Sequence, residues 1–189
     1  MYKSAMELGQ PIPSDVHAVS VSLPLWEHVK GYEEGVPSII NAMQLGYPRF
    51  VYHPFIKQLF AKAKKQFASE NEFCMVFPSK RIAKVCANYC LGEEGTQNVE
   101  RRINTISNLY SLTLPNGLER SAKEFWMHAG FIVSSRCAEA ALQENRKQKA
   151  ESRKQAIKEK LSTLSGANTS NIYLYPSGMA AIYSAFEAT

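Results

Sequence analysis

At 189 residues the chain is long enough for one domain, or two small ones, around a real hydrophobic core. Its composition is that of an ordinary globular protein, 45% hydrophobic and 21% charged, and no run approaches the ~18 consecutive apolar residues of a membrane span. The net charge of +5 does not predict a nucleic-acid surface: +4 of it lies between Glu144 and Lys160, where three acidic residues interrupt the basic ones and no aromatic side chain offers a stacking platform.

Residues 1–30 are rich in proline (Pro11, Pro13, Pro24) and lack the apolar core of a signal peptide. His17 to Leu23 alternates and reads as a strand or an extended arm. Pro37-Ser38 starts a helix that runs to about Leu45 and stops at Gly46. Phe55 to Phe67 is a helix, with Phe55, Ile56, Leu59, Phe60, Ala63 and Phe67 on one apolar stripe. Phe73 to Phe77 is a buried strand, Pro78-Ser79 turns it, and Lys80 to Leu91 is helical. A polar loop follows at 92–98. Ile106 to Leu114 reads as one strand, Pro115-Asn-Gly117 as a turn, and Leu118 to His128 as a helix with Leu118, Ala122, Phe125 and Trp126 inward. His128, beside Gly130, is a helix-terminal histidine rather than a catalytic one. Glu144 to Leu164 forms a long solvated helix with a Lys147/Glu151 pair and a narrow stripe of Ala150, Ile157, Leu161 and Leu164, ended by Gly166. Ile172 to Tyr175 reads as a short buried strand, and Pro176-Ser177-Gly178 turns it into a last helix. Strands alternating with helices give an α/β fold.

The four cysteines (Cys74, Cys86, Cys90, Cys137) form no CxxC pair, and no histidine lies near Cys86 and Cys90. They predict reduced, mostly buried thiols, no metal site and a cytoplasmic setting.

Two stretches carry chemistry. The first N–H groups of a helix have no intrahelical acceptors and sit at the positive end of the dipole, so a phosphate or carboxylate can rest on them. Gly178 would let such a group approach the backbone closely. The sequence Tyr175-Pro-Ser-Gly-Met-Ala-Ala-Ile182 resembles the S-S/T-G-M-A-A-I signature of the Cys/Met-metabolism family of pyridoxal-phosphate enzymes, which includes the cystathionine γ-synthases and lyases. His17-Ala-Val-Ser-Val-Ser-Leu-Pro24, Gly31-Tyr-Glu-Glu-Gly35 and Gly46-Tyr-Pro-Arg-Phe50 are similar to the N-terminal region of fungal cystathionine γ-synthase-like proteins.

The resemblance implies the incomplete N-terminal portion of a fold-type-I transferase dependent on pyridoxal 5'-phosphate. Residues 1–130 would be an N-terminal extension and 131–189 the start of the cofactor domain. Ser177, Gly178 and Met179 would hold the cofactor phosphate. Arg136, in Ser134-Ser-Arg136, matches the family's phosphate arginine, which reaches the site of a neighbouring subunit in a homo-oligomer; Arg49 is the second choice. The family's Schiff-base lysine, pyridine-binding aspartate and ring-stacking aromatic all follow this helix. The chain alone is therefore expected to hold no catalytic residue, while the whole enzyme would act on small amino-acid substrates, joining cysteine to an O-acylated homoserine. A non-catalytic interaction module and a basic nucleic-acid-binding domain are the alternative readings.

Val76-Phe-Pro-Ser-Lys-Arg-Ile-Ala83 also parallels Leu174-Tyr-Pro-Ser-Gly-Met-Ala-Ala181, a degenerate internal repeat. Lys80 stands where the second copy has Gly178, so the first copy is not expected to hold a phosphate, and Lys80 is expected to be a solvated helix residue.

Overall fold

A computed structural model describes residues 6–45, 51–92, 99–143 and 150–188, with the backbone alone at 150–152. The predicted helix stop at Gly46, the Tyr47-Pro-Arg49 segment, most of the 92–98 loop, the first turn of the long helix and the Lys147/Glu151 side-chain pair lie outside the described residues.

The centre is an antiparallel sheet in the order β3–β5–β4: β3 is Glu72–Phe77, β4 Ile103–Ile106 and β5 Leu109–Pro115. Side chains alternate across a strand, and β3 uses both faces. Phe73, Met75 and Phe77 join one buried cluster, while Cys74 and Val76 join the other. The first cluster is closed by α4 (Lys80–Leu91) and α5 (Glu119–Ala129), through Ile82, Ala83, Cys86, Ala87, Phe125 and Trp126. The second is closed by α3 (Pro54–Phe67) and α6 (Ser135–Leu142), through Ile56, Leu59, Ala63, Ala138 and Ala141. Helices on both faces of one sheet make an α/β sandwich whose strands all run antiparallel.

The N-terminal part is an arm over this sandwich. It holds a two-stranded ribbon, β1 (Pro11–Ile12) against β2 (Ser20–Val21), then α1 (Trp26–Glu33) and α2 (Pro37–Asn41). Helix α2 stops at Asn41, four residues before the predicted Leu45.

Three further elements depart from the sequence reading. Ile106–Leu114 is not one strand. Ser107 adopts φ 57 and, with Asn108, turns the chain so that Ile106 pairs with Leu109; an apolar run conceals a two-residue turn when the turn residues are short and polar. Helix α6 is an additional element, N-capped by the Ser134 hydroxyl, which accepts from Cys137 N–H at 3.2 Å. Ile172–Tyr175 is not a strand. It pairs with no β-strand among the described residues and leaves Tyr173 72% exposed. Four apolar residues register a demand for burial, but a strand also needs a neighbour for its N–H and C=O groups.

The long helix is α7 (Ala150–Ser165), ended as expected by Gly166 at φ 73. Of its predicted stripe, Ile157, Leu161 and Leu164 are exposed, Leu164 by 72%. A one-turn 3-10 helix at Thr169–Asn171 leads to α8 (Gly178–Glu187). All four cysteines are free thiols; Cys74 and Cys86 are buried, Cys90 is half-buried and Cys137 is exposed. A hydrogen bond with Cys90, together with burial, pushes the Cys86 thiol up, and the same bond draws the Cys90 thiol down. No described helix is long and apolar enough to cross a membrane, and no group of His, Cys, Asp or Glu among the described residues could hold a metal ion.

Candidate functional site

Two serine-capped helix starts border one cavity, and Pro78, just before a third, also lines it. Ser79 caps α4 by accepting from Ile82 N–H at 3.3 Å, Ser134 caps α6, and Ser177 caps α8 by accepting from Ala180 N–H at 3.1 Å. The first and third have nearly the same backbone, Ser79 at φ −148, ψ 153 and Ser177 at φ −153, ψ 163. The repeated Pro-Ser sequence thus builds the same turn twice, and the Arg81–Glu187 ion pair ties the two helices together at 3.2 Å. Pro78, Ser134, Ser135, Arg136, Pro176 and Ser177 all line a cavity of about 520 Å³, whose lining also includes apolar side chains such as Ile56, Leu109 and Val133.

The predicted residues Arg136 and Ser177 therefore meet at one cavity within a single chain. Gly178 is helical, and a Cβ built on it would meet nothing within 4 Å. The amides of Gly178 and Met179 head α8 and have no intrahelical acceptor. The Ser177 hydroxyl is committed twice: it accepts from Ala180 N–H and donates to Gly130 C=O at 2.7 Å. Arg49 lies outside the described residues. Lys80, in the other copy, is paired with Glu100 beside Lys84, and these two ammonium groups hold the Glu100 carboxyl below the usual range.

Gly130 is what seats α8. It closes α5 at φ 69, and a Cβ there would lie 2.5 Å from Met179 Cβ and 2.6 Å from Ser177 Oγ. Only a residue without a side chain admits the α8 N-terminus so closely. The sequence signal was present, a glycine directly after a helical stripe, but not the partner that makes it necessary. His17, His53, Ser135 and Glu139 were also missed. His53, 6% exposed, caps α3 by accepting from Phe55 N–H and donates from Nε2 to Val16 C=O at 2.8 Å. Burial holds its imidazole below the usual range, assisted by the His17 ring stacked 6.3 Å away.

An apolar cavity rimmed by helix N-termini and one guanidinium suits an anion carrying an apolar body. Residues 55–134 match a family described as the fungal trans-sulfuration enzyme, N-terminal domain. Over those residues the chain belongs to that family. It is 34% identical to the cystathionine gamma-synthase of Saccharomyces cerevisiae over 160 residues, covering 72% of this chain and 24% of the relative. It is 36% identical over 157 residues to a second, provisionally named cystathionine gamma-synthase of that yeast, covering 74% and 24%. The Neurospora crassa cystathionine gamma-synthase is 34% identical over 160 residues, covering 70% and 25%. The chain thus spans about a quarter of the length of these relatives. No solved structure gives a significant match.

Proposed function

We propose that this chain is the N-terminal part of a pyridoxal-phosphate-dependent cystathionine γ-synthase-like enzyme, and that it supplies half of the cofactor's phosphate site. The observation that carries the reading is the meeting of Arg136 with Pro176 and Ser177 at one cavity, with Gly178 and Met179 next in the chain beyond its lining. The residues fit a phosphate. Two amides at the start of α8 are open, the space over Gly178 is free, and a guanidinium lines the cavity that Ser177, the residue before them, also lines.

In this reading the Gly178 and Met179 amides donate to the phosphate and Arg136 balances its charge. The Ser177 hydroxyl holds the turn against Gly130, and would have to leave that carbonyl to serve the phosphate directly. The bound cofactor supplies the electron sink. The residues described here bind and orient; the whole enzyme would replace the γ-substituent of an O-acylated homoserine with cysteine. The 189-residue chain alone would not turn it over. The arginine lines the same cavity as Ser177 of its own chain, and the homo-oligomer that the family resemblance implies would form around it.

The test is a pyridoxal-phosphate titration of a full-length version. Gly178→Val, which fills the open space, should abolish retention with the circular dichroism spectrum unchanged. Ser177→Ala and Arg136→Ala should each weaken it several-fold. Undiminished affinity in Gly178→Val would refute the phosphate role of the turn, and a larger loss in Arg49→Ala than in Arg136→Ala would reassign the arginine.

A further inference from the structure

Beside the cavity, three side chains from distant parts of the chain line up in sequence. Ser135 Oγ lies 3.1 Å from His17 Nδ1, and His17 Nε2 lies 3.2 Å from Glu139 Oε2. Ser135 and Glu139 are four residues apart on α6, so they share one face of the helix, and the imidazole bridges them. The ring is clamped on its other sides by His53 and by Phe55, whose centroid is 5.7 Å away, while Asp15 Oδ1 accepts from the His17 backbone N–H.

We propose that Ser135, His17 and Glu139 are a nucleophile, a general base and its orienting acid, and that they hydrolyse small esters with an apolar acyl group. The hydrogen bonds fix the tautomer. The Glu139 carboxylate accepts, so His17 carries its proton on Nε2, and the Nδ1 lone pair faces the Ser135 hydroxyl. That hydroxyl is not a cap, because Ser134 already satisfies the Cys137 amide. Ser135 is 9% exposed and lines the apolar cavity, which would take the acyl group. As the first residues of α6, Ser135 and Arg136 offer two amides without intrahelical acceptors, where an oxyanion would form.

The reaction balances without any co-reactant but water. Ser135 Oγ bonds to the ester carbonyl carbon as its proton passes to His17 Nδ1. The carbon–oxygen bond to the alcohol then breaks, and the alcohol leaves with that proton. Water, deprotonated by His17, attacks the acyl-serine, releasing the acid and restoring the serine. This activity is independent of pyridoxal phosphate and of the reading above.

The experiment uses the 189-residue chain without cofactor, a fluorophosphonate probe and p-nitrophenyl butyrate. The expected result is one probe per chain, mapped by peptide mass spectrometry to Ser135. Ester hydrolysis should be at least ten-fold above that of Ser135→Ala. Labelling should be lost in His17→Asn and slowed ten-fold or more in Glu139→Gln. The labelled position in the unmutated chain decides the matter even if a variant misfolds. No adduct on Ser135 in natively folded protein, or equal hydrolysis by Ser135→Ala, would leave the three residues as a tie between the arm and α6 and overturn the proposal.

Discussion

Replacing Gly130 by alanine tests how α8 is held. Two effects add. Alanine in the left-handed region costs about 1–2 kcal/mol. Its Cβ would also enter space within 2.6 Å of both Met179 Cβ and Ser177 Oγ, so the start of α8 must move and the 2.7 Å Ser177–Gly130 hydrogen bond is lost. That bond contributes about 1 kcal/mol. The expected destabilisation is about 2–3 kcal/mol, a fall in Tm of roughly 5–10 °C for a chain of this size. Gly166→Ala separates the two effects: Gly166 has φ 73 but nothing within 4 Å of an added Cβ, so it should show the backbone cost alone. Differential scanning calorimetry of both variants reads the difference. Combining Gly130→Ala with Ser177→Ala should cost less than the sum of the two, since each removes the same bond. Equal Tm losses in Gly130→Ala and Gly166→Ala, or full additivity with Ser177→Ala, would refute the claim that Gly130 seats the helix.

Other outcomes follow from the core and the arm. Leu59→Ala, at a fully buried position on α3, should cost about 2–5 kcal/mol in urea denaturation, because the second cluster cannot collapse onto the lost volume. Arg81→Ala removes an ion pair whose arginine is 70% exposed and should change stability by less than about 1 kcal/mol. Burial lowers the folded-state titration of His53 below its usual 6.5, so the unfolded chain takes up a proton first. Stability should therefore be fullest above pH 6.5 and decline as the pH falls below it. His53→Asn, which retains an acceptor for Phe55 N–H, should flatten the decline in denaturation measured from pH 7.5 to 5.5.

What was legible in the sequence was local. The stripe of α3, the unbroken burial of β3 and the Pro-Ser helix starts of α4 and α8 all follow from periodicity, an apolar run and capping within a few residues. The same locality shows why the repeat is real at its turns, where Ser79 and Ser177 share a conformation, but not in its strands. Phe73–Phe77 finds β5, whereas Ile172–Tyr175 finds no strand, and nothing in either apolar run encodes that difference. The hairpin was hidden because Ser107, not glycine, takes the positive φ. The meeting of Arg136 with Ser177 in one chain had no signal, since the resemblance sends the arginine to a neighbouring subunit and no spacing rule connects two helix starts across a sheet. The alignment of His17 with Ser135 spans 118 residues and has no sequence signature at all.

The course of the chain between α6 and α8 has a consequence for how this lineage can change. The polypeptide leaves the cavity after Cys137 and comes back to it at Pro176, while α7 contributes to neither buried cluster and packs against the short turn at Thr169–Asn171. Such an excursion is free to lengthen or shorten. Doubling it adds only about 0.6 kcal/mol of closure entropy, and no cavity wall shifts. Natural selection can therefore hold the arginine and the Ser-Gly-Met turn in place while the distance between them in sequence drifts from species to species. Spacing along the chain is therefore a poor guide to this site, and the two ends of the detour are what the cavity fixes.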